Sequence, residues 1–266
     1  MQELKRAEKL IINYLSEFKE HEKTVENIYK TADISEYIAR KVLLDEKNIE
    51  LARVIALLHR IGSFEREKYT EQDDFVSYGI KVLFDYNLIR KFIFETDYDE
   101  TIKKAIRNYS ENEIKEDMNE QELLQTKILH DASKIGALDL FIRDAENTDL
   151  SIVELIEKFK KTYPDDFKDA TEDYESISKY AYEDFMNNRG VKLLDRQTKL
   201  DYWLDYMAII FELKLGASLQ YVKDNNYIDT VIDRFTYKDE ETKEKIEQIR
   251  KHAKEYSENT SSIRNS

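Results

Sequence analysis

Cysteine is absent from this chain. Disulfides, thiolate nucleophiles and zinc–thiolate centres all need its sulfur, so all three are excluded. Proline occurs once and glycine five times in 266 residues. Sheet proteins draw on these residues at every turn, so their scarcity argues for long helices joined by short polar loops. Long apolar runs are missing too. None approaches the roughly 20 residues of a membrane-spanning helix, and the opening MQELKRAEKLIINYLSEF is too evenly charged for a secretory signal. No membrane partner is expected, and a cytoplasmic location is.

Positive charge is also in short supply. Forty-two Lys and Arg face 56 Asp and Glu, a formal net charge of -14. Nucleic-acid binding rests on basic side chains neutralising phosphates, and no basic stripe runs through the sequence, so no nucleic-acid partner is expected. A small basic pocket for a single nucleotide remains compatible with this charge.

What is present is a helix-former's composition with 41% hydrophobic residues, sufficient for a packed core. The fold class expected is all-α, a multi-helix bundle with additional C-terminal helices. Leu10, Ile11, Tyr14, Leu15 and Phe18 recur at helical spacing, and Val25 and Ile28 extend that face, predicting one long segment from about Gln2 to Lys30. Another helix is read over Ser35–Leu44. Asp45 is placed to cap the next one, whose LARVIALLHRIG stretch is apolar nearly all round and therefore buried. Gly62 is placed to end it. Further helices are read over Tyr98–Tyr109, Asn119–Leu138, Ser176–Asn188, Lys199–Leu215 and Glu240–Ser257. The polar stretch around Pro164 suggests a division into a core over 1–160 and C-terminal helices over 161–258 packing on that core, with a frayed tail over 259–266. The 18 tyrosines and Trp203 read mainly as core and boundary residues.

Four histidines carry the chemistry in prospect: His21, His59, His130 and His252. His252 lies in a charged amphipathic stretch and reads as a solvated surface residue. His59 ends the most apolar helix, where an imidazole needs a partner because an unpaired buried polar group costs roughly 1–3 kcal/mol.

The segments around these histidines form an ordered set. ALLHRIGSFER resembles the signature of the HD superfamily of metal-dependent phosphohydrolases, in which a buried helix ends in His-Asp followed by Ile-Gly. FKEHEKTVENIYKTA resembles the segment with the family's first histidine, here His21. DDFVSYGIKVL resembles a helix start that usually reads Asp-His, with a glycine four residues after the histidine. KKAIRNYSENEI resembles a helix that usually ends Asn-His. KILHDASKIGALDLF resembles the closing aspartate segment and places that residue at Asp131, with His130 at a pocket edge or on the surface. DRQTKLDYWLDYMAIIFEL resembles the C-terminal helices of bacterial members. The resemblance spans about Glu17 to Tyr256.

The resemblance implies two histidines and two aspartates converging on a divalent metal, which would activate water and stabilise phosphoryl charge. His21, His59 and Asp131 match ligand positions. Four other positions depart from the pattern. Arg60 stands where the doublet's aspartate belongs, Phe75 and Tyr109 stand where histidines belong, and Ser133 replaces the second aspartate of the closing motif. Lys134 matches that motif's lysine. A guanidinium cannot lose its proton in a protein and repels a divalent cation. Arg60 is therefore expected to pair with Asp131 in the metal's stead, with Arg60→Ala strongly destabilising.

The leading expectation is a degenerate member with impaired or absent hydrolysis and no metal, which binds a nucleotide or other phosphorylated molecule through Arg60 and Lys134. The alternative is an active mononuclear enzyme using a divalent metal on His21, His59 and Asp131, with Asp73 or Asp74 as a further carboxylate. A third reading is a helical protein-interaction scaffold. A homo-oligomer or a protein partner is compatible with each.

Overall fold

The computed structural model describes residues 2–64, 74–111, 117–146, 176–192, 196–233 and 237–263; side chains within 141–146 and 261–263 are left aside. Eleven α-helices and no strand occur among these residues, which makes the fold all-α. The chain forms two compact units, Met1–Gly136 and Ala137–Ser266. The expected boundary near Pro164 lies outside the described residues. No helix among them is long and apolar enough to cross a membrane.

The first unit is built round α3 (Glu46–Leu58), which packs against α1 (Gln2–Leu15), α2 (Glu22–Lys41) and α5 (Asp99–Asn108). From Leu51 to His59 every side chain but Arg53 is buried, as an all-round apolar stretch requires. Arg53 reaches Glu8 on α1 at 2.5 Å, and Asp33 and Glu36 on α2 at 2.7 and 3.1 Å. One guanidinium thus ties both outer helices to the central one.

Asp45 caps α3 by accepting the Asn48 backbone N–H at 2.8 Å. Asp45→Ala should therefore lower stability by about 1 kcal/mol in urea unfolding. No measurable loss would show that solvent satisfies that N–H equally well.

The long segment read from Gln2 to Lys30 is two helices. Helix α1 stops at Leu15, where the Ser16 hydroxyl donates to the Asn13 carbonyl at 2.7 Å and competes with the helical ladder. The chain then turns through a short 3₁₀ segment, Lys19–His21, and Phe18 packs its ring against Tyr14 and Phe64. Helix α2 runs without interruption through Ser35, a fully buried residue, rather than restarting there. It ends at Lys41, and the positive φ of 60° at Leu43 lets Leu44 N–H reach the Ala39 carbonyl at 3.2 Å. Glycine usually fills that place, and a side chain there costs roughly 1–2 kcal/mol.

Gly62 does not end α3 in the way expected. No glycine has positive φ among the described residues; Gly62 lies in a 3₁₀ turn, Ile61–Phe64, which follows the helix. Its role is closeness. A Cβ there would stand 2.3 Å from the Phe75 carbonyl oxygen and 2.8 Å from Gly79 N. Helix α4 (Phe75–Ile80), continued by a π turn over Lys81–Asp85, thereby presses directly on the turn after His59. Helix α6 (Glu120–Glu146) begins in this unit. Asn27 on α2 donates to the Gly136 carbonyl at 3.0 Å, and Gly136 leaves room for Thr31.

The second unit contains α7 (Lys179–Met186), α8 (Lys199–Glu212), α9 (Gly216–Asp224), α10 (Tyr227–Asp233) and α11 (Glu240–Ile263). The first two and the last correspond to expected helices, with α8 ending three residues early. Helices α9 and α10 were not read from the pattern. Trp203 is core, as expected. His252 is half-buried rather than fully solvated: its Nε2 meets Asn188 Oδ1 at 2.8 Å and its ring lies beside Phe185 and Phe211.

Candidate functional site

The end of α3, the start of α4 and the end of α5 meet at one corner of the first unit. His59 follows the last residue of α3 and is 2% exposed. Its Nδ1–H donates to the Ala56 carbonyl at 2.5 Å, which leaves Nε2 with the lone pair. Burial pushes its pKa down to about 3, and the Arg60 charge works in the same direction, so the imidazole is neutral. Its ring stands edge-on to Tyr109, with centroids 5.2 Å apart. Burial pushes the Tyr109 hydroxyl up to about 12, against the pull of Arg60.

Arg60 carries its guanidinium over the Phe75 ring, 5.5 Å from the centroid. Its Nε is buried without a hydrogen-bond partner. Next to Phe75, Asp74 is committed to capping α4. Oδ1 accepts the N–H groups of Val76 and Ser77 at 2.8 and 2.9 Å, and Oδ2 accepts the Ser77 hydroxyl at 2.7 Å. These bonds to the ionised form hold its carboxyl below the ordinary range. Asp73 lies outside the described residues.

The structure therefore brings His59, Arg60, Phe75 and Tyr109 together, three helix ends apart in sequence. The Gly62–Gly79 approach holds α4 there. His21 joins more distantly: it lies in the 3₁₀ turn before α2, edge-on to Phe64, with centroids 5.6 Å apart. Phe64 belongs to the turn that follows Arg60.

The closing motif on α6 is arranged differently from expectation. His130 is fully buried, not at an edge, and its Nδ1–H donates to Asp131 Oδ1 at 2.9 Å. The reason is the adjacent carboxylate, which is itself completely buried and needs a donor. Ser133 donates its hydroxyl back to the His130 carbonyl at 2.9 Å, and Lys134 is half-buried. The expected Arg60–Asp131 pair is not formed: Asp131 takes His130 and Arg60 takes an aromatic face. His130 had no signal in the sequence beyond its adjacency to Asp131.

The donors at this corner suit a divalent metal poorly. They comprise a neutral imidazole, a permanent cation, a phenyl ring and a phenol that keeps its proton. Among the described residues, no three His, Cys, Asp or Glu side chains come together in a way that could hold a metal ion.

Comparison with known proteins matches residues 24–151 to the family model of the HD domain. No significant match is found among curated proteins or among solved structures. The matched segment contains the helix ending at His59, both close-approach glycines and the buried His130–Asp131 pair. Residues 24–151 are therefore identified as an HD domain.

Proposed function

We propose that this chain keeps the HD fold without its metal chemistry. Hydrolysis is impaired or absent, and the corner at His59 holds the anionic group of a nucleotide or another phosphorylated small molecule. Arg60 is the observation that carries this reading. It stands where the family's aspartate belongs, packs on Phe75, and buries an Nε that lacks a partner. An unpaired buried donor on a cation is relieved by an anion, and a guanidinium presents its donors in the fork that phosphate oxygens match. Lys134 is the second cation of this reading.

Arg60 forms no ion pair with Asp131, so Arg60→Ala is no longer expected to unfold the protein. Its melting temperature should stay within about 2 °C of the parent. Calorimetric titration with inorganic phosphate and a nucleotide panel, in chelator, should show binding that Arg60→Ala removes. Binding that survives Arg60→Ala would sink the assignment.

One observation favours a second reading, the mononuclear hydrolase on His21, His59 and Asp131. The Ala56 carbonyl fixes the His59 tautomer that leaves Nε2 open to a metal. Stoichiometric transition metal in the purified protein, with phosphoester turnover abolished by His59→Ala, would establish that reading in place of the first.

A further inference from the structure

The corner at His59 is rich in donors and holds a single uncommitted acceptor. The Arg60 guanidinium has N–H groups only, and its Nε is buried without a partner. The Tyr109 phenol keeps its proton, so it too is a donor. The Asp74 carboxylate beside Phe75 is taken up by the N–H groups of Val76 and Ser77 and by the Ser77 hydroxyl.

His59 differs from all three. Its Nδ1–H is spent on the Ala56 carbonyl, one turn back on its own helix. Nε2 lies across the ring from that bond, so its lone pair is directed away from the end of α3. No donor meets it among the described residues. The side chain is 2% exposed, which leaves little bulk water to do so either. A buried acceptor of this kind calls for a partner.

One acceptor set beside fixed donors selects a ligand that brings acceptor oxygens and one hydrogen of its own. A fully deprotonated oxyanion brings acceptors only. One of its oxygens would then meet the Nε2 lone pair, acceptor against acceptor.

We infer that His59 sets the specificity of this corner: Nε2 accepts a hydrogen bond from the P–O–H of a protonated phosphate while Arg60 holds its charged oxygens. This role rests on the anion site proposed above and narrows it to a phosphate that carries a proton. Free phosphate has a hydroxyl in both of its ionic forms at neutral pH. Sulfate has the same tetrahedral shape and has none. The Ala56 carbonyl enforces the choice, because it fixes the tautomer that leaves Nε2 an acceptor.

Phosphate and sulfate are therefore the probes, titrated into the full chain at neutral pH, in chelator and at matched ionic strength. Phosphate should bind at least about tenfold more tightly than sulfate. His59→Met removes the acceptor and keeps a side chain of similar bulk, so it should bring the two affinities close to equality. Nitrogen NMR of the unsubstituted chain reads the same contact. Phosphate should move the His59 Nε2 signal upfield, as accepting a hydrogen bond does, and sulfate should leave it in place. This signal decides alone where His59→Met fails to fold. Equal affinities in the parent, a phosphate preference that His59→Met preserves, or an Nε2 signal indifferent to phosphate would overturn the role of His59 and leave the anion site standing. Failure of both anions to bind would remove the site itself, and this role with it.

Discussion

Gly62→Ala should be the most damaging single-methyl change in the first unit. The added Cβ would meet the Phe75 carbonyl oxygen at 2.3 Å and the Gly79 backbone nitrogen at 2.8 Å. Both are main-chain atoms of α4, so no rotamer change can relieve the clash. Only a shift of the whole helix can. Overpacking of this kind typically costs 1–3 kcal/mol, and the rigidity of the obstacle puts this case at about 3 kcal/mol or more. That corresponds to roughly 10 °C in melting temperature. Gly79→Ala should cost less, because its nearest neighbour, Gly62 N, stands at 3.3 Å. Gly190→Ala meets only the carboxylate ends of Asp205 and Glu212, at 3.3 and 3.4 Å, and should fall within about 0.5 kcal/mol of the parent. Equal losses at Gly62 and Gly190 would show that the close approach of α4 is not maintained in solution. The Gly62 variant should also weaken phosphate binding in the proposed site, since Phe75 begins the displaced helix.

The second large effect is a gain. The triple variant Arg60→Asp, Phe75→His and Tyr109→His should bind a transition metal more tightly than the parent. The three positions lie at one corner: the Tyr109 ring is 5.2 Å from His59, and Phe75 underlies Arg60 at 5.5 Å. The change removes a fixed cation and replaces two carbon rings by imidazoles beside an existing one. It thus converts an aromatic, positive corner into a nitrogen and oxygen donor set. Without metal the variant should be less stable than the parent by about 2–4 kcal/mol. Tyr109 is only 7% exposed, and a smaller polar ring leaves both a gap and an unmet hydrogen bond there. Metal should then recover roughly 3 kcal/mol when present at 100 times its dissociation constant. Elemental analysis and metal-dependent melting of parent and variant read both halves. Adding His59→Ala to the variant should abolish the gain. A folded triple variant with no metal-dependent shift would mean that the three positions do not occupy the family's ligand places.

Much of the fold was legible because it rests on local rules. Asp45 caps α3 through its own side chain, and the buried run from Leu51 to His59 follows from an apolar pattern with no polar face. The ends of α1 and α2 were not legible. Ser16 turns back on the Asn13 carbonyl, and Phe18 leaves the helix because a partner distant in sequence, Phe64, rewards the turn. Ser35 stays inside a helix because burial against neighbours outweighs its weak preference to cap. Helices α9 and α10 are short and joined by Asn226 at positive φ, a break that periodicity alone does not separate from loop.

The candidate site divides along the same line. The residue types at Arg60, Phe75 and Tyr109, and their poor chemistry as metal donors, belong to the sequence, because a guanidinium or a phenyl ring has the same donor chemistry wherever it lies. The sequence likewise determined an all-helical chain and an HD-like order of segments. Which of those residues touch was decided only in three dimensions. Opposite formal charges suggested Arg60 with Asp131, but Asp131 is sealed in α6, where the neighbouring His130 satisfies it, and Arg60 is left against Phe75. The elbow between α1 and α2 has the same origin. Leu15, Phe18, Glu22, Glu26 and Tyr29 form one surface only because the chain reverses after Leu15, and that reversal depends on packing that no local pattern contains.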